Sequence, residues 1–132
     1  MTNPTALDAF LGTTAEAEKT VYLKRLGIDL RVKALTGAQV TKLREQATYS
    51  EGKGSKRKSV TNEEEFGGLL ISTSCIEPDF GDAKLLAHYN ARDAADCVQK
   101  ALLAGEVAML SHAVLDVSGF VNDEDEVEEV KN

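Results

Sequence analysis

A chain of 132 residues, 42% of them apolar, supports one domain; with 5% aromatics and no Trp, its modest core must come from Leu, Val, Ile and Ala. The net charge of −7 is unevenly placed: six acidic residues from Asp123 to Glu129, against Lys131, put −5 of it in the last stretch and leave a nearly neutral body. That balance argues only weakly against nucleic acid, while the lack of any run of about 18 apolar residues or of a charged-then-apolar opening excludes a membrane span and a standard secretory signal.

Residues 1–18 read as a flexible N-terminal arm, in which Leu7, Phe10 and Leu11 are spaced for a single helical turn able to dock. From Lys19 to Leu35 the apolar period is two: Val21 and Leu23, then Ile28, Leu30 and Val32, alternate with polar neighbours as half-buried strands do. Arg25-Leu26-Gly27 between them is short enough for a hairpin, with Gly27 free to take a positive φ. Two strands are marginal alone, so a helix must cover their apolar face. Thr36 is placed as the N-cap of a helix whose inner face is Val40, Leu43 and Ala47. Residues 50–60, rich in Gly, Ser and Lys, then read as a flexible basic loop.

Thr61-Asn62-Glu63-Glu64 has the spacing of a capping box, followed by a face of Phe66, Leu69, Leu70, Thr73 and Ile76 that runs to Pro78. Gly67-Gly68 weakens this helix but admits a close helix crossing. Asp82 begins a short helix through Leu85, Leu86 and Tyr89, and a second starts near Asp93 with Ala94, Ala95, Val98, Ala101 and Leu102. In the last helix Val107, Leu110, Val114 and Val117 form one stripe, Glu106 suits the first turn, and Gly119 stands where a left-handed cap would. The expected architecture is α+β: an N-terminal β-hairpin packed on a mainly helical domain of about five helices over 19–120, with 121–132 a disordered acidic tail.

Residues with chemical potential are scattered. Cys75 and Cys97 lack CxxC spacing, and His88 and His112 do not complete a four-ligand zinc set with them. Both cysteines read as small buried hydrophobes in a reducing compartment. Ser111 and His112 are adjacent, so on a helix they point about 100° apart and make a poor nucleophile–base pair. Asp79 and Asp82 lack EF-hand spacing and read as turn and cap. Lys53, Lys56, Arg57 and Lys58 are the basic candidates for a nucleic-acid contact, but no aromatic interleaves them and the P-loop pattern fails. The stripes Phe66, Leu69, Leu70 and Val107, Leu110, Val114, Val117 are the candidate partner-binding faces; each also serves as core, and core comes first.

The order of these parts resembles the tail assembly chaperones of long-tailed bacteriophages and defective prophages, specifically the XkdN-like family. The pieces that carry the resemblance are Arg31-Val32-Lys33-Ala34-Leu35-Thr36 leading to Leu43-Arg44, then Cys75-Ile76-Glu77-Pro78-Asp79-Phe80 with Leu85 and Tyr89. Leu103-Ala104-Gly105-Glu106, Leu110, Val114 and Ser118-Gly119-Phe120 complete them. The resemblance spans about 19–120; the basic loop and the first residues are not matched pieces. It implies a non-enzymatic protein without a cofactor, in the cytoplasm of the bacterial host and absent from the mature virion. Such a protein binds the tape measure protein, keeps it soluble during tail morphogenesis and commonly self-associates. The competing readings are a structural phage tail or head–tail connector protein and a nucleic-acid-binding regulator acting through Lys53 to Lys58.

Overall fold

The computed structural model describes residues 5–13 and 17–120. A first helix, α1 (Ala6–Leu11), is closed by Thr5, whose hydroxyl accepts from Asp8 N at 3.2 Å, and it buries none of its side chains. The period-two segment forms β1 (Glu18–Leu23) and β2 (Ile28–Lys33), antiparallel with Val21 opposite Leu30. Gly27 takes φ +65° in the connecting turn and donates to Leu23 O at 2.8 Å, as the short connection demands. Leu23, Leu30 and Val32 face the core, whereas Ile28, beside the turn, runs off its edge and stays exposed.

Helix α2 (Gly37–Gln46) starts at Thr36, which accepts from Gln39 N at 3.2 Å while the Gln39 side chain accepts from Thr36 N at 2.9 Å. Residues 50–60, expected as a loop, instead belong largely to a second hairpin, β3 (Thr48–Glu51) and β4 (Lys58–Thr61), with four cross-strand pairs. Its base is made of β-formers, Thr48, Tyr49, Val60 and Thr61, which flank the Gly/Ser/Lys run and pair despite it. Gly52 at φ +92° allows the turn, since a Cβ there would stand 2.5 Å from Lys56 O.

Thr61 is therefore committed to the ladder, its Oγ1 2.9 Å from that of Thr48, and cannot cap the next helix. Asn62 does so, one residue later than the capping-box reading, by accepting from Glu65 N at 3.1 Å. That helix, α3 (Glu63–Ser74), stops short of the expected end at Pro78. Cys75–Glu77 form β5, antiparallel to β2, which gives the three-stranded order β1-β2-β5. Ile76 thus leaves the helical face and is exposed, because the free edge of β2 offers Cys75–Glu77 ladder hydrogen bonds that outweigh one more helical turn.

The last three helices follow the expected caps. Asp82 begins α4 (Ala83–Tyr89) and Asp93 begins α5 (Ala94–Ala101), each accepting a backbone N–H at 2.8 Å. Helix α6 (Ala104–Val117) closes with Gly119 at φ +97°, Gly119 N donating to Asp116 O and Phe120 N to Leu115 O at 3.0 Å, a Schellman turn.

Central helix α3 joins two clusters of the core. Ile71 meets Leu23, Leu30, Val98 and Leu110 on one side; Phe66 and Leu70 meet Val32, Leu43 and Val114 on the other. Gly67 and Gly68 do provide the tight crossing: a Cβ on Gly68 would lie 2.8 Å from Ala95 O of α5, and one on Gly67 3.2 Å from Ser111 Oγ of α6.

Ser74 is the fully buried polar residue at the junction of α3 and β5. Its hydroxyl donates to Lys33 O at 2.6 Å and accepts from Lys33 N at 3.1 Å, extending the β2–β5 ladder by a side chain. Ser74→Ala leaves both backbone groups without that partner and is expected to cost about 1–3 kcal/mol. The expected readout is a lower urea midpoint with an unchanged slope.

Candidate functional site

The chemistry-bearing side chains are mostly committed to structure. Among the described residues no group of three or more His, Cys, Asp or Glu side chains is placed to share a metal ion. Burial raises the Cys75 thiol to about 11, and burial also raises that of Cys97, so both are protonated at neutral pH and neither is an activated nucleophile. The His88 ring stands edge-on to Tyr89 at 4.7 Å. A polar hollow of about 480 Å³ between α3 and α5 contains Glu64, Arg92, Asp96 and Gln99. There the hydrogen bond from Arg92 N, and then that from Lys100, hold the Asp96 carboxyl below its usual range, while Gln99 Nε2 donates to Glu64 O. Its acid is an anchor for α5 rather than an open general base.

The two candidate stripes are divided by burial. Phe66, Leu70, Leu110 and Val114 are closed inside the core, and Leu69, Val107 and Val117 lie half-buried at its margin. The structure closes four of the seven off from a partner, Phe66, Leu70 and Val114 in one core cluster and Leu110 in the other.

The open apolar surface lies elsewhere, where the β1–β2 turn meets the start of α6. Tyr22, Leu103 and Met109, 59%, 59% and 42% exposed, line a concavity of about 690 Å³ with Lys24, Arg25 and Glu106 at its rim. Leu26 and Ile28, at the same end of the hairpin, are exposed too. Three apolar walls around an open hollow make a surface that a partner's apolar side chains can fill.

One ion pair shapes this hollow. Arg25 Nε donates to Glu106 Oε2 at 2.9 Å, and Arg25 Nη2 donates to Glu106 Oε1 at 2.8 Å and to Ala101 O at 3.1 Å. Glu106 Oε1 also accepts from Leu103 N at 2.8 Å, so a single carboxylate ties the hairpin turn to the first turn of α6. Arg25 first, and the Leu103 amide second, hold the Glu106 carboxyl below its ordinary range. The stability this contributes is present above the ordinary value near 4.5 and is lost as pH falls through the lower folded-state value. Asp96 and Asp116 are lowered as well, Asp116 by Lys19 at 2.7 Å, so Glu106→Gln is expected to flatten part of the acid limb of Tm against pH. Thermal melts from pH 7 down to pH 3 measure it.

Sequence reading missed Tyr22, Leu103 and Met109. A signal was present for Tyr22, an aromatic at a solvent-facing position of the β1 alternation, and for Met109, which falls outside the stripe of Val107, Leu110, Val114 and Val117; Leu103, at the N-cap of α6, carried none. On α1 the three expected apolar residues, Leu7, Phe10 and Leu11, are all exposed; the rest of the arm and the acidic tail lie largely outside the described residues.

The fold is shared with the crystal structure of the protein yqbn, at TM-score 0.66 and 17% identity, over 92% of this chain and 100% of that one. No curated protein sequence matches the chain. A family model described as "Phage XkdN-like tail assembly chaperone protein, TAC" matches residues 7–131. With that match running along nearly its whole length, on a β-hairpin and helical body of the expected kind, the chain belongs to the XkdN-like phage tail assembly chaperones.

Proposed function

We propose that this protein binds the tape measure protein of its phage in the host cytoplasm and keeps it soluble until the tail tube forms, leaving before the virion is complete. It does so by binding rather than by catalysis, and copies of it self-associate. Family membership supports the general role, and the observation that carries the finer reading is the open hollow of Tyr22, Leu103 and Met109. A tape measure protein is long and helical, with apolar faces that aggregate in water. A holdase for it needs apolar surface left outside its own core, and this hollow supplies that while Phe66, Leu70, Leu110 and Val114 do not. Helix-in-groove docking would seat client residues at i, i+3 and i+4 between the hairpin and α6.

The test is co-expression with the tape measure protein of the same phage. A raised soluble yield and co-purification are expected, and Met109→Glu combined with Tyr22→Ser is expected to abolish both without lowering Tm. An unchanged yield, or an intact complex with the doubly substituted chain, overturns the reading. Mass spectrometry of purified virions separates a chaperone, which is absent from them, from a structural tail protein, which is retained.

A further inference from the structure

Helix α1 has an apolar face and nothing on it. Leu7, Phe10 and Leu11 fall at i, i+3 and i+4, Thr5 and Gly12 close its ends, and yet it buries none of its side chains. Six residues are too few to hold a helix in water unaided, so a cover would complete it. Phe10, 80% exposed, is the barest of the large apolar side chains described. Of the eleven such side chains exposed among the described residues, three are these. Five more lie at the turn end of the β1–β2 hairpin and on the adjoining α6, around the open hollow. The exposed apolar surface thus gathers into two patches, one joined to the start of β1 and the other at its end.

Strand β1 itself is an edge of its sheet, paired with β2 on one side only. Ala34 N donates to Ala17 O, and the unbroken register from Glu18 to Leu23 therefore turns the backbone of Lys19, Val21 and Leu23 toward β2. Thr20 and Tyr22 turn theirs outward, and a row of that kind is a template for another strand. A second copy of β1 fits it antiparallel, about a two-fold axis at Val21. Thr20 then pairs with Tyr22 of the other copy and Glu18 comes opposite Lys24, each twice by symmetry. Axes at Lys19, Thr20 or Tyr22 lose that charge match, the first by setting two lysines face to face. In the matched arrangement the residues before Glu18 of one copy run on past Lys24 of the other. Lys24 and Arg25 already line the hollow, and residues 12–17 reach about 20 Å, so α1 of each copy arrives at the hollow of its neighbour.

We propose that two copies of this chain pair through β1 about a two-fold axis at Val21, with α1 of each seated in the hollow of Tyr22, Leu103 and Met109 of the other. Leu7, Phe10 and Leu11 are the anchors of that helix-in-groove contact, and the Glu18–Lys24 pairs fix the register. Both apolar patches are covered at once in a closed pair, so neither is left to drive open-ended association. When a client helix takes the hollow it displaces α1 of the partner copy; that exchange, unlike the pairing, rests on the client-binding reading.

Sedimentation equilibrium of the full chain measures the pairing, and a dimer is expected. Glu18→Lys or Lys24→Glu alone is expected to weaken it at least about tenfold, since like charges then face each other twice. The chain carrying both substitutions is expected to recover it. Damage to the fold, or loss of Lys33 as the neighbour of Glu18 within one sheet, would not be rescued in that way. Phe10→Ser with Leu11→Ser, both at exposed positions, is expected to weaken the dimer as much. When a chain carrying Phe10→Cys is mixed with one carrying Met109→Cys, mild oxidation is expected to link the two; Tyr49→Cys in place of Met109→Cys is expected to give no link. A monomer at every concentration, a dimer indifferent to the charge swap, or no link in the mixture overturns the proposal. Capture of the tape measure protein keeps the two readings apart. An unaltered chain that captures it but never dimerises sinks the pairing alone, and one that dimerises as described yet captures nothing sinks the client reading alone.

Discussion

Leu110→Ala is expected to lower folding stability by about 2–5 kcal/mol, the range for emptying a large aliphatic side chain from a packed core. Leu110 is fully buried at the middle of α6 and belongs to the cluster that joins Leu23 and Leu30 of the sheet to Ile71 of α3 and Val98 of α5. Those neighbours come from four elements that hold one another in place, so the hollow left by the substitution cannot collapse cheaply. Met109, next in sequence, points into the open concavity; Met109→Ala is expected to stay within about 0.5 kcal/mol of the parent. Chemical denaturation measures both, and capture of the tape measure protein by the folded variants separates the roles. A stable Leu110→Ala chain that had lost capture would return the α6 stripe to the client-binding face.

Gly68→Val is the second large effect, with an expected loss of about 3 kcal/mol, the upper part of the range for overpacking. Helix propensity alone argues the other way, since Ala in place of Gly should gain nearly 1 kcal/mol in a helix interior. The crossing of α3 and α5 decides the sign. A Cβ at Gly68 would stand 2.8 Å from Ala95 O, a backbone atom held within a helix, so the two helices must separate. Gly68→Ala is thus expected to destabilise despite its propensity gain. Gly105→Ala, in the first turn of α6 with open space around it, is expected to stabilise by about 0.5–1 kcal/mol. Thermal unfolding of the three variants settles the comparison, and a Gly68→Ala chain as stable as Gly105→Ala would show that the crossing is looser than described.

What the sequence by itself determined here is whatever depends on a few consecutive residues. The β1–β2 hairpin, the caps at Thr36, Asp82 and Asp93, and the left-handed turn at Gly119 were all legible. Each rests on local dihedral limits or on a hydrogen bond spanning two or three residues, which no distant contact needs to supply. The α+β class followed from the change of apolar period, and the family from the order of its parts.

Tertiary structure decided the rest. Cys75–Glu77 left a helical pattern because the edge of β2 was free to pair with them, and the Gly/Ser/Lys stretch became an arm because four pairs at its base cooperate across it. Leu110 and Val107 share one stripe of α6, yet one is fully core and the other lies half-buried at its margin. Periodicity says that a helix has an apolar face; only the packing partners say how wide that face is and which of its residues water, or a client, can reach.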